Sequence, residues 1–135
     1  MTNAEKKTIL KSYRRHKLKA EALKAELDSL VSPKSPSLDG MPRGGDQRDL
    51  SDVMIRVDKL FARIEAALDR QYAALDQIDR EIERMTNQNE QTLLTLHYIA
   101  GYSLRRTARK MCYSYDYICH LHGSALAHFM KDDNF

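Results

Sequence analysis

Tryptophan is absent from the 135 residues, and glycine (5), proline (3) and cysteine (2) are scarce. Each shortage excludes something. So few glycines and prolines argue against a turn-rich sheet protein and leave a helical composition dominated by Ala, Leu, Lys, Arg and Glu. The two cysteines, Cys112 and Cys119, stand so close in sequence that a disulfide between them would close only a trivial loop. No uninterrupted apolar run approaches the ~18 residues of a membrane-spanning helix. The opening MTNAEKKTILKSYRRHKLKAEAL is charged throughout and lacks the apolar centre of a signal peptide. These shortages lead to the expectation of a soluble protein in a reducing cytoplasm, without membrane contact. What is present agrees with that expectation. With 42% hydrophobic and 30% charged residues, the chain is too apolar for a disordered tail and too charged for a membrane protein. Its length suits one domain, or a small domain with an appendage, and excludes most multidomain enzymes.

Punctuation is concentrated in one segment. Pro33, Pro36 and Pro42, with Gly40, Gly44 and Gly45, all fall between residues 31 and 46, where missing backbone donors and permitted positive φ predict a loop. Before it, Ile9, Tyr13, His16, Ala20, Leu23, Leu27 and Leu30 alternate spacings of four and three, forming one stripe of a helix of about six turns. After it, Val53, Val57, Phe61, Ile64, Leu68, Leu75, Ile78, Ile82 and Met85 keep nearly that period, with Tyr72 or Gln71 filling the gap. At ~1.5 Å per residue this second helix is on the order of 60 Å long, well beyond an ordinary globular helix, which favours a heptad reading. The two stripes pair either as an antiparallel helical hairpin or as a dimeric coiled coil.

Beyond residues 86–89 the segments shorten. A helix over 90–100 carries Leu93, Leu94, Leu96 and Tyr98 and ends at Gly101, a residue suited to a left-handed cap. Ser103 is placed to cap a helix over 104–111, and Ser114 to cap another over 115–130. The expected architecture is therefore all-α: a hairpin or coiled coil over residues 1–90, then a three-helix domain over 91–135. Charge follows the same divisions. Residues 1–30 hold 8 basic and 4 acidic side chains, 31–45 hold 2 and 1, 46–90 hold 7 and 11, and 91–135 hold 5 and 3. The total of +3 conceals two basic ends around an acidic middle.

The three-helix segment carries the most chemical information. Small Ala108 at a tight crossing, Met111 before the turn, and Ile118, Leu121 and Ala125 beyond it form the internal pattern of a helix-turn-helix. With Thr107, Ala108 and Met111 turned inward, Arg105, Arg106, Arg109 and Lys110 face outward as two i,i+4 rows of like charge. Each like pair costs about 0.2–0.5 kcal/mol, which an external anion would relieve; a solvated face is the plain alternative. The next helix would then enter a DNA major groove by its N-terminal half, presenting Tyr115, Asp116, Cys119 and His120, with Tyr117 at the edge. The Ser114 cap and the first-turn N–H groups would meet phosphate. This groove set lacks the Arg, Asn or Gln that reads guanine or adenine bidentately; packing of Tyr115 and Tyr117 on the preceding helix is the rival reading.

Cys112, Cys119, His120 and His122 do not make a paired C-x-x-C arrangement. Cysteines acting as small buried hydrophobes and a hydrogen-bonded core histidine at His122 are preferred to a zinc site, and no metal or cofactor is expected. His16, in the seam of the first helix, is also read as structural. The stretch 40–45 lacks the Lys-Ser/Thr of a phosphate-binding loop, and no nucleophile motif occurs, so the chain is not read as an enzyme.

The stretch LLTLHYIAGYSLRRTARKMCYSYDYICHLHGSALAHF resembles region 4 of sigma factors and, more closely, the phage-encoded late transcription regulators of the ArpU and RinA type. The resemblance rests on Leu94, Tyr98, Ser103, Ala108, Met111, Tyr113, Ser114, Ile118 and the His122-Gly123-x-Ala125-Leu126 ending, with the SPSLDGMPRG segment resembling a loop of small phage proteins of this group. It implies a DNA-binding activator of phage or prophage late genes, with double-stranded DNA as partner. In that reading the hairpin sets dimer spacing or contacts RNA polymerase. The family commonly has an acidic residue and an isoleucine where this chain has Arg106 and Thr107, and often an arginine in place of His120. Those departures raise phosphate affinity, loosen the core and weaken a groove contact, respectively. The alternative function is a protein-interaction module that binds RNA polymerase or a phage packaging component without sequence-specific DNA reading.

Overall fold

A computed structural model describes residues 1–31 and 47–131. The segment expected to form the Pro/Gly loop, SPSLDGMPRG included, and the Asp132-Asp133 end lie outside the described residues. The described chain is all-α: α1 (Asn3–Val31), α2 (Gln47–Glu83), α3 (Gln88–Leu94), α4 (Leu104–Met111) and α5 (Tyr115–His128). A π-helical turn, Thr95–Ile99, extends α3.

α1 opens on a reciprocal cap. The Thr2 backbone N–H donates to Glu5 Oε2 at 2.8 Å and the Glu5 N–H donates to Thr2 Oγ1 at 3.2 Å, satisfying two otherwise orphan donors. α1 and α2 lie against each other in opposite directions. Ala20 and Leu23 of α1 share a cluster with Leu60, Ile64 and Ala67 of α2, whereas Leu10 and Tyr13 meet Ile78, Ile82 and Met85 at the other end. The seam on α2 is offset from the expected stripe. Phe61 is exposed and Leu60 takes the buried position instead; of the two residues open for the gap, Gln71 is the buried one and Tyr72 is exposed. Strict seven-residue spacing carries Val57, Ile64, Gln71, Ile78 and Met85 along one row with Leu60 and Ala67 beside it, which puts Phe61 one position off the contact. On α1, likewise, Leu10 is fully buried and Ile9 only partly.

The larger cluster joins the lower ends of α1 and α2 to Leu93, Leu94, Tyr98, Ala108, Ile118, Leu121, Ala125, Leu126 and Phe129. Polar contacts fix the same junction. Buried Lys6 donates from Nζ to the carbonyls of Leu126 (2.8 Å) and Ala127 (3.1 Å), placing a cation on the negative end of α5. Gln91 Nε2 donates to the carbonyls of Ile82 (2.9 Å) and Met85 (2.8 Å), closing the end of α2. Glu90, 1% exposed, accepts from Ser124 Oγ at 2.7 Å and pairs with His128 Nδ1 at 2.8 Å. These buried polar groups tie α3, α5 and both long helices into one arrangement that positions α4 and the start of α5.

Candidate nucleic-acid interface

α4 begins where its sequence places a cap. Ser103 Oγ accepts from the Arg106 N–H at 3.2 Å. Ahead of it, the π turn closes with the Ala100 N–H donating to the Thr95 carbonyl at 2.9 Å, and Gly101 reverses the chain at φ +86°, in the left-handed region that glycine enters without strain. The expected single helix over 90–100 therefore divides into an α-helix and a wider turn. That turn aims Tyr98 into the core, where its hydroxyl is hydrogen-bonded to Nε2 of His122 at 2.7 Å. Burial, then His97, Lys7 and Lys11, lower the His122 pKa to about 4, so the ring is neutral at ordinary pH. His122 is thus half-buried and hydrogen-bonded, the structural role expected of it.

Three residues, Cys112, Tyr113 and Ser114, connect α4 to α5. Cys112 adopts a left-handed conformation (φ 63°), so that the Tyr113 N–H reaches the Ala108 carbonyl at 3.0 Å. Ser114 Oγ then accepts from the Tyr117 N–H at 3.1 Å and starts α5. Thr107 and Ala108 are buried at the approach of α4 to the core, and Ile118, Leu121, Ala125 and Leu126 form the buried side of α5. The expected burial of both cysteines is corrected: Cys112 and Cys119 are free and exposed. Cys112 is a turn residue rather than a packing residue. Cys119 follows Ile118 on the opposite, outward side of α5.

Arg105, Arg106, Arg109 and Lys110 are all exposed. Among the described residues the ion pairs are Arg84–Glu81 and His128–Glu90, so none of these four cations has a carboxylate within 4.0 Å. Three of them stand over aromatic rings instead. Arg105 Cζ lies 4.4 Å from the Tyr115 ring centroid and Arg106 Cζ 4.1 Å from that of Tyr102, with Lys110 Nζ at 5.8 Å from the same Tyr102 ring. An aromatic face leaves a guanidinium its charge while restricting its position. Beyond them stand Asp116, Cys119 and His120, all exposed; Cys119, one turn on from Tyr115, is the main influence that raises the Tyr115 pKa.

The rival reading of the tyrosines is met in part. Tyr115 lies under Arg105 of α4, but Tyr117 packs on Tyr113 of the turn, centroids 4.8 Å apart, and each stays about two-fifths exposed. Tyr113 also accepts from Asn89 Nδ2 at 3.2 Å, linking the turn to α3. Sequence reasoning did not single out Tyr102, which organises Arg106 and Lys110. The available signal was an aromatic residue four positions before an arginine and eight before a lysine, across a cap.

Among the described residues no three His, Cys, Asp or Glu side chains converge as metal ligands, and no helix is long and apolar enough to cross a membrane. No protein-family model, curated protein or solved structure matches the chain.

Proposed function

We propose that this protein is a DNA-binding transcription regulator in which residues 91–135 form a sigma region 4-like helix-turn-helix carried on a helical hairpin. The observation that carries the reading is the pair α4 and α5: a three-residue turn, a serine cap at the start of each helix, and four exposed cations on the first that have no carboxylate partner among the described residues, one of them over Tyr115 at the start of the second. In this reading Arg105, Arg106, Arg109, Lys110 and the Ser114 cap hold phosphates. Tyr115, Asp116, Tyr117, Cys119 and His120 face the groove and sense its shape and methyl groups more than they read bases by bidentate hydrogen bonds. The resemblance to phage late regulators supplies the biological setting, activation of phage or prophage late genes, with RNA polymerase as a further partner.

Fluorescence anisotropy with a labelled duplex at low salt tests the binding step. Arg105→Gln with Arg109→Gln should weaken binding at least about tenfold on every duplex, because phosphate contacts carry no sequence information. A wild-type protein that binds no duplex at low salt would remove the reading.

One observation favours a protein contact as a second activity of the long helices. Leu50, Met54, Phe61 and Tyr72 of α2 are each more than half exposed, along one side of the seam. Such a row suits a homodimer or RNA polymerase, and sedimentation equilibrium distinguishes a self-associating chain from one that stays a monomer.

A further inference from the structure

We infer that the outward ridge of α1, Lys7, Lys11 and Arg14, belongs to the same phosphate-binding surface as α4, so that the long helical pair is part of the DNA interface and not only its support. The inference rests on the duplex reading above and extends it to a helix outside the three-helix segment.

The two cationic groups meet at the turn between the π-helical segment and α4. The Arg14 guanidinium lies so close over Gly101 that a Cβ there would stand 2.7 Å from its Cζ. The next residue, Tyr102, carries Arg106 and Lys110 on its ring. Arg14, Arg106 and Lys110 therefore gather around two consecutive residues. From Arg14 the ridge continues down α1 by steps of three and four to Lys11 and Lys7, which lie near enough to His122 to help keep that ring neutral. His97, whose Nδ1 hydrogen-bonds the Tyr102 carbonyl at 2.7 Å, fills the space between the turn and His122. Arg14, Arg15 and Lys17 also line an open cleft together with Glu21, Ile99 and Ala100.

Charge gives this surface its direction. Lys7, Lys11 and Arg14 are exposed, and among the described residues none has a carboxylate within 4.0 Å. The nearest acidic side chain in sequence, Glu5, is engaged with the Thr2 N–H. Lys6, one position away, is spent inside the fold on the end of α5, so burial and exposure divide adjacent lysines into a structural and a free one. A row of unpaired cations joined to a second row through a rigid turn fits a polyanion whose charges repeat, as the phosphates of a duplex do, rather than a single small anion.

The test is the salt dependence of duplex affinity for the full-length protein. Each phosphate contact contributes about 0.9 to the slope of log K against log salt. Lys7→Gln, Lys11→Gln and Arg14→Gln together should make the slope shallower by about 2.7, and Lys11→Gln alone by about 0.9. A variant of equal charge change on α2, Lys59→Gln, Arg63→Gln and Arg70→Gln, should shift it by less than half as much as the α1 triple. All six positions are exposed, and circular dichroism melts should stay unchanged. If wild type binds duplex and the α1 triple keeps its slope, or the α2 variant lowers it equally, the ridge is overturned while the α4–α5 interface stands. If wild type binds no duplex at low salt, both fall together.

Discussion

At the scale of single residues, the fold keeps two polar groups in states that have measurable consequences. Thr107 is completely buried on α4, and its hydroxyl has no hydrogen-bond partner. An unpartnered buried hydroxyl costs about 1–3 kcal/mol, so Thr107→Val, which replaces it by a methyl group, should stabilise the protein by about 1 kcal/mol in thermal or urea unfolding. A loss of stability would mean that the hydroxyl is satisfied in solution. His122 works through pH. Its ring is held neutral mainly by burial and then by the neighbouring His97, Lys7 and Lys11, with a pKa of about 4 against an ordinary 6.5. The unfolded chain takes up a proton near 6.5 and the folded one resists it until about 4. The stabilising contribution is therefore whole above 6.5 and is lost as pH falls toward 4. His122→Gln, which can still hydrogen-bond Tyr98 as donor or acceptor, should melt with a flatter pH dependence across that interval. Parallel curves would show that other groups govern acid sensitivity.

At the scale of elements, caps and turns were more legible than seams. Ser103 and Ser114 were readable because a short hydroxyl before an apolar run has one efficient use, accepting the N–H three residues on, and both do so. Gly101 was legible for a similar reason: its φ of +86° is one that other residues adopt at a cost of about 1–2 kcal/mol. Gly101→Ala should therefore destabilise by about that amount in unfolding measurements. The new methyl itself would displace only the mobile end of Arg14. On α2 the expected stripe misses the seam at Phe61, and leaves Tyr72 and Gln71 as alternatives, because a periodic apolar pattern wide enough for two partners does not say which row the first partner takes. The π turn at Thr95–Ile99 was invisible in the sequence, since it depends on where Tyr98 must reach to meet His122. The exposure of Cys112 was missed because its role is conformational, a left-handed turn position commonly left to glycine. Lys6 caps a helix at the other end of the sequence, and no local pattern announces such a contact.

At the scale of the whole molecule, a total charge of +3 says little, yet its distribution separates two kinds of surface. Among the described residues, cations without a carboxylate within 4.0 Å run along α4, around the Gly101–Tyr102 turn and up the first half of α1, whereas on α2 such cations are mixed with a larger number of acidic side chains beside an exposed apolar row. The first arrangement suits a polyanion and the second a protein, so the two can be engaged together without competing for one face. Shared packing makes that combination rigid, because Leu10, Ile78, Ile118 and Phe129 belong to one core. The most direct measurement of the central claim is backbone-amide hydrogen exchange of the full-length protein with and without a short duplex at low salt. The proposed interface predicts added protection over residues 101–120, with a second protected stretch in the first half of α1. Protection confined to α2, or an exchange pattern unchanged by saturating duplex, would contradict it.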